Sequence, residues 1–289
     1  MSYLFLIGAV CASAQLSIMA AVYNKRNTAP ETKNVYNLLY MIASFLSWAI
    51  LYIFDFSFEP TVLIYSVGYA VLYNLAVNGL VKALSCGSVS LTSFLKQLSI
   101  AAVSIWGFIF WGSKFTTFIL IAFALIILSL FLCLGGKNGE KGEKISLKWF
   151  FYVSLLFLSN AGCSIVQKQE QIDFLGEHGT QLMCFGTFFS MIISLAVIFK
   201  NGTPNFNVCK KGSFKFPLFA GMSSALLNLF IILMAQTTLS PSLIYPSIAV
   251  GGMLLSIVFS VLVYKERLSF RQILGLLLGI VALIFLNLK

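Results

Sequence analysis

From Leu243 to Val263 the chain runs for 21 residues without a charge. A helix rises 1.5 Å per residue, so about 20 apolar residues cross a hydrocarbon layer of about 30 Å. Lys265, Glu266, Arg267 and Arg271 follow, and a second apolar run begins at Ile273. Charges of that density are expensive in hydrocarbon, so they fix a turn at the membrane surface between two spans. Small residues punctuate both runs: Gly251 and Gly252 in the first, Gly275 and Gly279 (a GxxxG) in the second. Glycines four apart let helix backbones approach closely in lipid. We read this GxxxG as packing inside one bundle rather than as a dimer seam, which favours a monomer.

The pattern extends over the whole chain. Apolar runs fall at about 3–22, 35–54, 61–81, 88–111, 116–134, 149–167, 179–199, 216–237, 243–263 and 270–288. Of the 289 residues, 59% are hydrophobic and 10% charged, against about 25% charged in an ordinary soluble domain. The reading is an all-α integral membrane protein of ten transmembrane helices, with both termini on one side. No segment has the two-residue alternation of a barrel strand. The first run lacks a basic stretch before it and reads as a retained helix, despite the cleavage-like Ala12-Ser13-Ala14.

A net charge of +10 raises the question of nucleic acid. The basic residues, however, sit in short loops between apolar runs, which is the positive-inside signature and not a binding face. Fifteen of them (Lys25, Arg26, Lys33, Lys82, Lys137, Lys141, Lys144, Lys148, Lys200, Lys210, Lys211, Lys215, Lys265, Arg267 and Arg271) share one side, against Lys114, Lys168 and Lys289 on the other. The count puts the first side in the cytoplasm and both termini outside a cell membrane. The six cysteines show no CxxC spacing and mostly lie in apolar runs as small hydrophobes. No metal or cofactor is expected. Trp48, Trp106, Trp111 and Trp149 read mostly as interfacial anchors.

The Gly- and Lys-rich segment 135–148 divides the chain into 1–134 and 149–289, five runs each. In an ungapped overlay Trp111–Thr116 falls on Tyr264–Ser269, Ser93 on Pro246, and Ala122 and Ile126 on Gly275 and Gly279. Five is odd, so the second unit must be inverted relative to the first. Inverted repeats mark secondary transporters whose site lies near the midplane between the halves.

Tyr245-Pro246-Ser247-Ile248-Ala249-Val250-Gly251-Gly252, then Tyr264-Lys265-Glu266-Arg267-Leu268-Ser269 and Ile273-Leu274-Gly275, resemble the last two helices of the drug/metabolite transporter superfamily. The whole chain looks like one of its ten-helix EamA-like carriers. Each half distantly resembles the four-helix small multidrug resistance exporters. Leu158–Lys168 resembles the first helix of those exporters, whose carboxylate binds the cation and the coupling protons in turn. That position falls on Asn160 here, and on Gln15 or Ser17 in the first half. Amides cannot carry a proton, so the resemblance does not imply cation/proton antiport. Tyr245 matches a tyrosine that lines the exporters' site. Many EamA-like relatives have their termini inside; the charge count here gives the opposite orientation.

Few polar groups lie deep in the runs. The nine acids all fall in loops or at helix ends, and no His/Asp/Glu/Cys set clusters as a hydrolase would need, so no enzymatic activity is expected. Lys96 is the one charge deep within a run, in Ser90–Gln97. At mid-helix it costs at least about 2.5–3.5 kcal/mol on insertion scales. It either meets a substrate anion or snorkels to the headgroups. Tyr65, Tyr69 and Tyr73 share one face of the third helix, with Asn74, Asn78 and Lys82 in a second row. They form the wall of a wet cavity or an interhelical hydrogen-bond seam. Asn228 is the lone strong amide of helix eight, and Pro246 frees a carbonyl in helix nine, as in a broken helix.

Together these residues lead to secondary active transport of a small polar, anionic or zwitterionic metabolite by alternating access. The expected substrate site is Lys96, Tyr69, Tyr73, Asn74, Asn78, Asn160, Asn228, Tyr245 and Gln15, with a coupling proton or exchanged solute as further partner. An exporter of organic cations is the alternative within transporters. A channel-like or lipid-handling membrane protein is the alternative from another class.

Overall fold

The computed structural model describes residues 2–112, 116–134, 146–200, 212–235 and 241–286. The described residues form ten helices: α1 (Ser2–Arg26), α2 (Glu31–Phe54), α3 (Val62–Cys86), α4 (Val89–Phe110), α5 (Thr117–Leu134), α6 (Leu147–Asp173), α7 (Gly179–Lys200), α8 (Lys215–Ala235), α9 (Pro241–Tyr264) and α10 (Phe270–Leu286). Seven are long and apolar enough to cross a membrane. The apolar parts of α5, α8 and α10 are shorter. The chain is thus an all-helical protein with the composition of a multi-pass membrane protein. Most of segments 135–148 and 200–215 lies outside the described residues, as do Lys114, Cys209 and Gln236.

Short polar caps set the helix ends. Ser88 and Ser146 accept from Leu91 N and Lys148 N at the starts of α4 and α6, satisfying N–H groups with no partner within the helix. At the end of α1, the Lys33 ammonium is buried against the carbonyls of Asn27, Thr28 and Ala29, at 3.0–3.4 Å. A cation at a helix C-terminus is favoured by the macrodipole. Lys33 is therefore a structural clamp as well as one of the loop charges.

All the main packings join a helix of the first five to one of the last five. α1 lies against α8 and α9, α6 against α3 and α4, and α2 against α7 and α8. α3 also lies against α7, α4 against α9, and α5 against α10. The halves are interleaved, and neither builds a core of its own. Glycines set the closest approaches: a Cβ on Gly275 or Gly279 would meet Cys133, Ser129 and Phe94 within 3 Å. The GxxxG face is thus spent on the α5–α10 and α4–α10 contacts inside the bundle.

Two readings of the sequence change here. Trp48 and Trp149 are buried core residues, 1% and 2% exposed, not interfacial anchors. Trp149 Nε1 donates to Thr92 on α4, and its ring fills the space above Gly87. Helix nine is unbroken from Pro241 to Tyr264. Pro246 is its sixth residue and withholds one backbone bond from the Ser242 carbonyl without ending the helix.

Candidate functional site

α4 is tied to both helices that begin the two halves. Gln97 Nε2 donates to Ser13 Oγ on α1 at 3.2 Å, and Asn160 Nδ2 on α6 donates to Ser99 Oγ at 2.7 Å. Lys96 immediately precedes Gln97 on α4, and its carbonyl accepts from Ser99 Oγ at 2.7 Å. At 1.5 Å per residue its Cα is about 10 Å along the helix from Val89. Its side chain is half-buried, and its ammonium has no carboxylate or other acceptor among the described residues. A cation left partly desolvated and unpaired makes Lys96 a candidate site for an anion.

The tyrosine and asparagine rows of α3 are buried but already engaged. Tyr69 and Tyr73 stack at 5.2 Å. The Tyr73 hydroxyl meets Tyr40 Oη at 3.1 Å and Ser224 Oγ at 2.8 Å. Asn74 Oδ1 accepts from Asn37 and Asn78, while its Nδ2 donates to Ser190 O and Ser194 Oγ. That uses the full hydrogen-bonding capacity of one amide. Of the two sequence readings, cavity wall or interhelical seam, these bonds form the seam, joining α2, α3 and α7.

The remaining candidates are dispersed. Asn228 bonds back to Ser224 O in its own helix. Tyr245 is exposed at the start of α9. Gln15 faces a groove of about 370 Å³ between α1 and α9, otherwise lined by apolar residues such as Ile18, Leu255 and Phe259 and by Cys11. Ser13, not Gln15, is the α1 residue that reaches α4. Its short hydroxyl and its setting in Ala12-Ser13-Ala14 gave the sequence no signal.

Two acids prove more engaged than their end positions suggested. Glu266, in the α9–α10 turn, accepts through Oε2 from Ser90 N and Ser90 Oγ at the start of α4, and from Ser260 Oγ. Glu170, in the last turn of α6, is 1% exposed, and neither of its oxygens has a hydrogen-bond partner. The polar run Gln167–Gln171 reads as loop by composition, but α6 continues through it to Asp173.

Near Glu170 the helix ends and loops are knitted by polar contacts. Tyr65 on α3 donates to Asp173, Trp111 Nε1 donates to Gln169, and Gln181 exchanges two bonds with the Glu59 backbone. Glu59, in the α2–α3 loop, is held below the usual carboxylate range by the Thr61 hydroxyl and backbone N–H.

No known protein-family profile matches the chain, and no curated protein sequence matches it. Solved structures do. One, described only as the crystal structure of a protein, superposes with a TM-score of 0.62 at 11% identity, over 98% of this chain and 95% of its own. The likeness is one of fold.

Proposed function

We propose that this chain is a secondary active transporter of a small anionic or zwitterionic metabolite, an EamA-like member of the drug/metabolite transporter superfamily. The observation that carries the reading is the pairing of the helices. Exchange α1–α5 with α6–α10 in order, and each main packing maps onto another. α1·α8 becomes α6·α3, α1·α9 becomes α6·α4, and α2·α8 becomes α7·α3; α2·α7, α4·α9 and α5·α10 map onto themselves. The overlay that sets Trp111 on Tyr264 sets Ser99 on Gly252, and the helix pairs correspond there too: Ser99 meets Asn160 of α6, and Gly252 packs on Ser13 of α1. This is the pattern expected of two related halves, and five crossings per half make the relation an inverted one. Inverted halves give alternating access a simple route, since each half can take the other's arrangement.

The substrate class follows from Lys96. Its amine has no counter-charge among the described residues. Gln97, Ser99 and Asn160, which tie this stretch of α4 to α1 and α6, are the nearest candidates in the sequence and bond network to hydrogen-bond the rest of a small polar molecule. Thermal unfolding of the purified protein with carboxylates, phosphates, amino acids and quaternary ammonium compounds tests this. A ligand at 100 times its Kd stabilises by about 2.7 kcal/mol. Anions or zwitterions should stabilise the wild type and not Lys96→Met, which keeps the stem and loses the charge. Equal stabilisation of Lys96→Met would remove Lys96 from the site. Stabilisation by quaternary ammonium alone would favour export of organic cations.

The fifteen-to-three loop charge supports cytoplasmic placement of the 135–148 and 200–215 segments, with both termini outside. In intact cells an impermeant thiol reagent should label Glu177→Cys and not Lys148→Cys, both exposed positions. The reverse pattern would invert the orientation. Ser213, fully buried, is no labelling site.

A further inference from the structure

Resting on the transport reading, we propose that Glu170 is a proton-binding site. It takes up a proton as the α3–α6 seam closes over it and returns the proton to the adjoining water when the seam parts. Three observations carry this.

Glu170 is 1% exposed, with no donor to either oxygen. A bare carboxylate so placed has lost its hydration and gained nothing in return, a state costly enough that the group must be neutral or bound to a cation. Among the described residues no cation is paired with it, and Lys168, two residues before it on α6, is exposed. Asp173 on its own helix and Tyr65 on α3 are near enough to interact with it electrostatically. His178 lies two ring contacts from Tyr65, through Phe174. The neighbours at this end from α4 and α7 are the neutral Trp111 and Gln181, and Lys114 lies outside the described residues.

The ligand's chemistry follows. A desolvated metal ion takes about six oxygens, and the described residues hold no group of three or more acids, histidines or cysteines placed for one. A proton needs only one oxygen. Asp173 is already the acceptor for Tyr65 Oη and Gln169 Nε2, whereas neither Glu170 oxygen accepts from any group.

Proton occupancy is tied to motion through the Tyr65–Asp173 bond, which crosses from α3 to α6 beside Glu170. While that seam is closed Glu170 is sealed and an O–H bond persists on its carboxyl. When it opens, water reaches the group, the O–H bond breaks and the proton leaves as hydronium. Because closure then favours the protonated form, a proton gradient biases the conformational equilibrium by linkage.

Difference infrared spectroscopy of the purified protein in lipid reads this directly and needs no substrate, so it can fail without the transport reading failing, and the reverse. The wild type should show a protonated-carboxylic C=O band at neutral pH that shifts in D2O and is lost at alkaline pH. Glu170→Gln should lack the band, and Asp173→Asn should keep it. Absence of the band from the wild type, its survival in Glu170→Gln, or indifference to both D2O and alkali would overturn the proposal. The deciding measurement is on the wild type, so it does not depend on how the variants fold.

Discussion

At Gly79, on the face of α3 that meets α6, a Cβ would come within 2.9 Å of Leu156 N and 3.1 Å of Leu156 Cα and Tyr152 O. These are backbone atoms and cannot swing aside. Gly79→Ala must therefore push two helices apart, at a cost of about 1–3 kcal/mol for an overpacked contact. Gly68, on the same helix, has nothing within 4 Å of such a Cβ. Gly68→Ala should be neutral or gain up to about 1 kcal/mol from helix propensity. Thermal unfolding in detergent separates the two, and equal effects would mean that the α3–α6 approach is looser than described. The sequence offers no way to tell these glycines apart, since each is a small residue in an apolar run. Asn74 shows the same limit: periodicity gave its face, but only the fold brings Asn37, Asn78, Ser190 and Ser194 to it.

The α9–α10 turn shows how an element end holds a neighbour. Glu266 places a carboxylate at the first turn of α4, where exposed N–H groups and the helix dipole favour negative charge. Glu266→Gln keeps the shape but removes the charge from those bonds. It should cost about 1.5–3 kcal/mol, the range of hydrogen bonds to charged groups, and more than Glu177→Gln on an exposed loop. A smaller loss would reduce Glu266 to a surface residue. The elements themselves were legible, because ten predominantly apolar runs of membrane length leave little choice of secondary structure, and the helices lie where the runs do. What the runs missed was polar helix. α6 spans 27 residues, about 40 Å, so its last turns extend past the length that hydrocarbon demands, and hydropathy stops reporting there. Glu170 lies in that stretch. Trp48 and Trp149 were misread for a related reason: aromatic residues suit both the interface and the interior, and position in a run does not say which helix covers them.

For the molecule as a whole, the proposed exchange of halves has a mechanical consequence. α4 and α9 map onto each other, so the basic-loop end of the pair consists of the start of α4 and the end of α9. There the helices are joined: Ser90 Oγ lies 2.8 Å from Ser260 Oγ, and the Glu266 carboxylate takes bonds from both. Lys25 of α1 lies over the Tyr264 ring at 4.5 Å, adding a third helix to the closure. At the far end Trp106 and Phe110 of α4 and Tyr245 of α9 are exposed and make no such tie. A carrier working by alternating access must part the Ser90–Ser260 contact once in every cycle, whereas a channel or a lipid-handling protein has no such requirement. With the native cysteines replaced, Ser90→Cys and Ser260→Cys should close as a disulfide or accept a short bis-thiol linker, since both demand close approach. Cross-linked protein in liposomes should lose transport of whichever anion stabilises the wild type, and reduction of the disulfide should restore it. Each single cysteine variant should transport before and after oxidation. Full transport by fully cross-linked protein would show that α4 and α9 do not separate at this end, and the alternating-access reading would fall with that result.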